Sequence, residues 1–223
     1  MAAQTLNYLD AISHLPVGGT LILTDVSWED YDQLLTDLGA TSALKITYDR
    51  GRLEVMSPSQ KHERFKEIIA RIVYLIADEM DIPIESLGST TYKQEWLARG
   101  VEPDACFYVQ NAAKIIGSES LDLRACPPPD IVVEIDIADD SKSKLSIYAE
   151  MGVPELWRYD EHQFFVYRLE RNLYVEMPVS LSFPLLTTQL LAQLLEQSKT
   201  EGQSATLRSL REWIHSPSQS VSR

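Results

Sequence analysis

Two short segments of the chain carry side chains that could do chemistry together. In DIVVEIDI (130–137) the odd positions, Ile131, Val133, Ile135 and Ile137, are branched and apolar. Asp130, Glu134 and Asp136 share the opposite face of such a strand with Val132. In EPDACFYV (102–109) the even positions are Glu102, Asp104, Cys106 and Tyr108. If the two strands are neighbours with these faces on one side, Asp104 and Glu134 lie close together beneath the start of a helix near residue 141. Clustered carboxylates repel and desolvate badly unless something positive lies between them. A hard divalent ion, Mg²⁺ or Mn²⁺, is the economical answer, held by one or two carboxylates, a backbone carbonyl and waters. Such an ion activates a bound water and clamps a phosphoryl oxygen. Lys144, at the start of that helix, could orient the water or offset charge developing on a phosphate. Each residue taken alone has a plainer reading: acids are common on exposed strand faces, and Asp140 four residues before Lys144 makes an ordinary surface pair. The combination carries the chemical reading.

Other chemistries find less support. There are two cysteines and four scattered histidines, so neither a disulfide framework nor a four-ligand cysteine zinc site is available. HERFK (62–66) has lysine where a zinc-protease HExxH has its second histidine. Neither a G-x-S-x-G nucleophile elbow nor a glycine-rich phosphate loop occurs. Cys106, Cys126 and the four tryptophans read as packing residues.

The elements that must position the acids follow from pattern. GTLILTDV (19–26) reads as a strand, and Ser27 caps a helix that Gly39 ends. ALKITYDRGRLEVM (43–56) reads as a hairpin about Asp49–Gly51. After Ser57-Pro58-Ser59, Phe65, Ile68, Ile69, Ile72, Val73, Ile76 and Met80 recur at helical spacing. Three β-like runs follow (83–88, 90–98 and 102–109), then a looser connection over 110–129 with one short helix. DIVVEIDI leads into a helix over 141–152, capped by Asp140 or Ser141, and then a strand over 153–160, which implies a parallel crossover. A hairpin over 163–177, two helices over about 187–198 and 201–214, and a polar tail complete a mixed α/β chain. The expected division is an N-terminal extension (1–17), a main domain (18–198) and a C-terminal helix with its tail (199–223).

The chain has 223 residues, and 33 acids against 20 Lys and Arg give a net charge of −13. That balance argues against tight, sequence-blind binding of nucleic-acid phosphates. Any contact with DNA would rest on a local basic strip, for which Lys142, Lys144 and Arg158 are the candidates, and on bridging metal. The N-terminus lacks a signal-peptide pattern and no apolar run is long enough to cross a membrane, which points to a reduced, cytoplasmic setting.

GRLEVMSPSQKHE (51–63), EPDACFYV, PPDIVVEIDI (128–137) and KLSIYAEMGVPELWRYD (144–160) resemble the putative restriction endonuclease family abundant in cyanobacteria, a branch of the PD-(D/E)XK nuclease superfamily. The likeness runs over roughly residues 20–195. It implies a restriction-endonuclease-like core, a mixed central sheet flanked by helices, with the active site where the central strands diverge. The hairpin region before it and the C-terminal helices after it would be additions to this core. By this resemblance Pro103-Asp104 is the family's PD and Glu134 its following acid. Asp136 stands where the superfamily usually has lysine, and Lys144 matches the lysine that some members supply from the next helix. Glu63 resembles an acid that many members place on the first core helix to help hold metal. Asp104, Glu134 and Lys144 would then be catalytic, and Asp104, Glu134, Glu63 and Asp136 would surround Mg²⁺ or Mn²⁺. The implied activity is hydrolysis of DNA phosphodiester bonds by an endonuclease whose DNA binding is weak and metal-dependent. The rival reading is a nuclease-like fold that no longer cuts and serves as a protein or nucleic-acid interaction module. A homodimer is expected of an enzyme that cuts both strands, joined through the 163–177 hairpin or the C-terminal helices.

Overall fold

The computed structural model describes residues 2–39, 43–118, 124, 126–137 and 141–216. The first part comprises α1 (Ala2–Ser13), β1 (Thr20–Leu23), α2 (Trp28–Leu38), β2 (Lys45–Asp49), β3 (Arg52–Met56) and α3 (Gln60–Glu79). Then come β4 (Glu85–Gly88), β5 (Tyr92–Gln94), β6 (Arg99–Val101), β7 (Ala105–Tyr108), α4 (Ala112–Ile115) and β8 (Ile131–Ile135). A short helical turn, Ser141–Lys144, leads into α5 (Leu145–Met151), β9 (Glu155–Tyr159), β10 (Phe164–Glu170), β11 (Leu173–Met177), α6 (Thr188–Thr200) and α7 (Gln203–Ile214).

The mixed α/β class is as expected, but the strands divide into two sheets. One is antiparallel, in the order β1-β3-β2-β6-β5; the other runs β11-β10-β9-β8-β7-β4 and is mixed. Its one parallel pair is β8 with β9, which the 141–152 helix connects. The faces divide by parity, as strand geometry requires. Ala105, Phe107, Ile131, Val133, Trp157 and Tyr159 pack against α3, α6 and α7. The opposite face presents Cys106, Val132 and Leu156 to Ile147, Tyr148 and Met151 of α5, joined by Tyr92 and Val101 from the other sheet.

Local signals account for most element ends. Ser27 and Ser59 accept the backbone N–H groups of Asp30 and His62, capping α2 and α3. Gly39 and Gly152 close α2 and α5 with positive φ. One feature departs from expectation. The 90–98 run is not one strand: a helical turn, Glu95–Leu97, and Ala98 at φ 51 break it, so that β6 pairs with both β5 and β2. Residues 1–17, expected as an extension, contain α1, and Ile12 at its end is buried with α2 and the first sheet. The proposed Asp140 cap and the tail beyond residue 216 lie outside the described residues.

Gly100 of β6 lies where the chain approaches a fixed ring. A Cβ there would come within 2.0 Å of the Tyr31 hydroxyl and 2.6 Å of Cζ. Tyr31 is fully buried and stacked on Tyr48 with ring centroids 4.7 Å apart, so it has little room to yield. Gly100→Ala is therefore expected to cost at least about 1–3 kcal/mol in chemical denaturation. The Tyr31 hydroxyl makes no hydrogen bond among the described residues. Tyr31→Phe should accordingly be neutral or stabilising, and should return part of the loss when combined with Gly100→Ala.

Candidate active site

β7 and β8 run antiparallel with Ala105 opposite Val133, and one further step of that register sets Asp104 against Glu134. The ladder ends there for a local reason: Pro103 has no N–H to donate, so pairing cannot continue past Asp104. The Asp104 N–H still donates to the Val133 carbonyl at 3.0 Å, and the Asp104 carboxylate takes over the next position by accepting the Ile135 N–H at 2.8 Å. Both carboxylates are almost wholly buried, at 2 % and 1 % exposure.

Three elements bring positive or donating groups to this pair. His62, in the first turn of α3, has Nε2 3.0 Å from Asp104 Oδ2. Lys45, the first residue of β2, donates to the Pro103 carbonyl at 3.0 Å and lies 3.7 Å from Asp104 Oδ1. From the far side Lys144 donates to Glu134 Oε2 at 2.8 Å, and the Tyr148 hydroxyl donates to Oε1. Lys144 and Tyr148 are four residues apart, so one face of the helical segment presents both.

The electrostatics of the two acids diverge. Burial pushes the Asp104 carboxyl up, but the His62 hydrogen bond and the charges of His62, Lys45 and Lys144 together hold it down at about 2. For Glu134 burial prevails: despite Lys144, and with Asp104 adding repulsion, its carboxyl is pushed up to about 7. Burial pulls the Lys144 ammonium down, yet Glu134 and Asp104 more than reverse this and keep it protonated. Lys45 is shifted down by burial, only partly opposed by Asp104. Neighbouring carboxyls held in unlike protonation states are a recurrent feature of acid–base and metal sites.

The structure thus brings together Asp104, Glu134 and Lys144. Lys144 is buried, and its partner is Glu134. Glu63 lies at the margin: it is 45 % exposed, pairs with Lys66, and has Oε1 3.4 Å from His62 Nδ1. Asp136 shares the strand face of Glu134 but is paired with Arg158 of β9. The expected basic strip of Lys142, Lys144 and Arg158 is corrected: Lys144 and Arg158 are buried in ion pairs with Glu134 and Asp136, so they form no exposed basic surface. Sequence reasoning passed over Lys45, His62 and Tyr148. The four-residue spacing to Lys144 was a usable signal for Tyr148, whereas nothing local distinguishes Lys45 from any lysine at the start of a strand.

Residues 28–200 match the Uma2 family, described as putative restriction endonucleases. The chain belongs to this family. A solved structure of a putative nuclease belonging to DUF820, from Anabaena variabilis ATCC 29413, is similar in fold, with a TM-score of 0.52 at 17 % identity. The similarity covers 75 % of this chain and 98 % of that one. No curated protein matches the chain.

For this Uma2 member the donor set can be tested against a metal. Asp104 Oδ1 is buried and makes no hydrogen bond among the described residues. It leaves a carboxylate oxygen unsatisfied beside a second carboxylate, which fits a hard ion that needs only one or two protein ligands. No cluster of three or more His, Cys, Asp or Glu suited to a metal occurs among the described residues. Lys45, 3.7 Å from Asp104, also lines a cleft of about 550 Å³ together with Glu63 and Glu102; Asp104 and Glu134 are not in its wall.

The lowered Asp104 carboxyl has a consequence for the metal-free protein. Its ordinary value is 3.8 and its folded value about 2. Folding is therefore favoured by ionised Asp104 above about pH 4, and that contribution disappears as pH falls towards 2. Denaturation in EDTA across this window should show wild type losing stability more steeply than Asp104→Asn.

Proposed function

We propose that this protein is a metal-dependent endonuclease that hydrolyses phosphodiester bonds in DNA, with Mg²⁺ or Mn²⁺ held by Asp104 and Glu134. One observation carries the reading: the buried Asp104, whose Oδ1 makes no hydrogen bond among the described residues and lies 3.7 Å from Lys45 Nζ, stands opposite Glu134 in the register of β7 and β8, with Lys144 alongside. When bound, the ion supplies an activated water and polarises a phosphoryl oxygen. The protein's own groups set the geometry. His62 fixes one oxygen of Asp104 so that the other stays turned to the site. Tyr148 and Lys144 hold Glu134 from two sides and fix the plane of its carboxyl. Lys144 also places a permanent positive charge where negative charge grows on the phosphate, in surroundings of low polarity where it acts strongly. Glu63 and Asp136 belong to an outer ring, Glu63 through His62 and Asp136 through Arg158.

The second reading, a nuclease-like fold that no longer cuts and acts as an interaction module, draws on Asp136. This acid stands where the superfamily usually has lysine, and its charge is already committed to Arg158. Calorimetry separates the two readings: Mn²⁺ binding that is lost in Asp104→Ala supports the enzyme, and no binding at millimolar metal supports the module. A homodimer would use the edge strand β11, where Leu173 and Val175 are exposed. Among the described residues no helix is long and apolar enough to cross a membrane.

Plasmid cleavage tests the site directly. Nicking or linearisation should require Mg²⁺ or Mn²⁺, stop in EDTA, and fall by at least about 100-fold in Asp104→Ala and Glu134→Ala. Cutting that survives both substitutions overturns the assignment. Tyr148→Phe removes only the hydroxyl that orients Glu134 and is expected to cost about 10–100-fold in activity or metal affinity.

A further inference from the structure

Both candidate carboxylates and Lys144 are buried, so none of them is presented at the open surface where an intact double helix would meet it. A cleft between the end of α2, the start of α3 and the β2–β5 side of the first sheet reaches towards them through Lys45. Its volume of about 550 Å³ falls within the roughly 300–1,000 Å³ typical of small-ligand sites. Three lysines from three separate elements line it: Lys45 of β2, Lys66 of α3 and Lys93 of β5. Lys45 marks the inner end, since its ammonium group also lies 3.7 Å from Asp104. Leu35, Leu38 and Leu44 supply an apolar wall.

We propose that this cleft holds a single, extended DNA strand, with phosphates on Lys93 and Lys66, bases against the leucine wall and Lys45 at its buried inner end, so that the substrate is single-stranded or frayed DNA rather than intact duplex. The proposal rests on the endonuclease reading for what happens at the inner end. A cationic groove with apolar surface for the bases is how proteins hold unpaired strands without reading sequence. Two of the lysines are engaged in ways a phosphate can replace. Lys93 pairs with Asp32, and each side chain is 47 % exposed; Lys66 pairs with the partly exposed Glu63. Exposed pairs of this kind contribute little, so exchanging a carboxylate for a phosphate is inexpensive. The other acid in the wall, Glu102, is occupied by the Thr91 hydroxyl at 2.6 Å and the Ile46 N–H at 3.3 Å. The charge open to a phosphate in this cleft is that of Lys66 and Lys93 once it displaces Glu63 and Asp32.

The test is fluorescence anisotropy with a labelled 12-nucleotide single strand and with the same sequence as duplex, in EDTA across a salt series. The wild-type protein is expected to bind the single strand more tightly. The plot of log K against log salt should flatten by about 0.7 for each of Lys93→Ala and Lys66→Ala. Lys114→Ala, on α4 at the other end of β7, should leave binding unchanged. Tighter binding of duplex, or salt slopes unaltered in both cleft variants, overturns the proposal. Cleavage is scored separately on single-stranded and supercoiled DNA. Asp104-dependent cutting without any effect of the cleft lysines rejects the groove and leaves the nuclease standing. Lysine-dependent strand binding without cutting does the reverse.

Discussion

The rest of the structure is arranged around two carboxyls buried face to face. Desolvating one ionised carboxylate costs several kcal/mol, and placing a second beside it adds repulsion. The fold meets this by converging on the pair from three directions, with Lys45 from the first sheet, His62 from α3, and Lys144 with Tyr148 from the segment after β8. The compensation is unequal. Asp104 has two cations beside it and stays ionised, while Glu134 shares one lysine with its neighbour's field and retains affinity for a proton. The strand register that opposes Asp104 to Glu134 thus dictates which helices and sheets must stand close by.

The first sheet thus takes part in building the candidate site. Lys45 ties it to the Pro103 carbonyl at the mouth of β7. Arg50, in the β2–β3 turn, meets Glu150 of α5 at 3.0 Å, and Arg99 of β6 lies 3.3 Å from the same carboxylate and 3.2 Å from Asp49. The tyrosine stack and the close passage of Gly100 over Tyr31 hold β6 in the position from which Arg99 can reach α5. The helical segment that delivers Lys144 and Tyr148 is therefore fixed by the six-stranded sheet below it and by charged contacts from the other sheet at its end.

Much of this was legible in the sequence because it is written at short range. Period-2 alternation marked β7 and β8 and assigned Asp104 and Glu134 to the face away from the main core. The helical spacing from Phe65 to Met80, and the serines before α2 and α3, marked the helices and their starts. What was not legible depends on contacts distant in sequence or on a conformation without a residue signature. The break between β5 and β6 turns on Ala98 in a left-handed conformation that alanine rarely adopts. Lys45 matters only because β2 lies against Pro103, 58 residues further along the chain. His62 read as a residue at a helix start until the packing of α3 against β7 gave it a buried acid as partner. For Lys144 the sequence allowed both a role beside Glu134 and a surface pair with a neighbour four residues away, and burial against Glu134 sets aside the surface pair.

The arrangement also bears on how firmly an ion would be held. His62, Lys45 and Lys144 already offset the charge of the two acids, so the folded chain does not depend on a metal to keep Asp104 and Glu134 together. A divalent ion entering beside Asp104 Oδ1 gains two carboxylates but meets these cations at short range, and their repulsion opposes its own attraction. This differs from structural metal sites, where ligands without other partners make binding and folding one process. A phosphodiester strand changes the balance, because its charge falls on the lysines and on the ion alike. Ion and nucleic acid should then reinforce each other's binding, each relieving a repulsion that the other suffers alone. With a net charge of −13 the molecule as a whole repels DNA, so attraction must come from local cations such as Lys66 and Lys93 and from a bound ion.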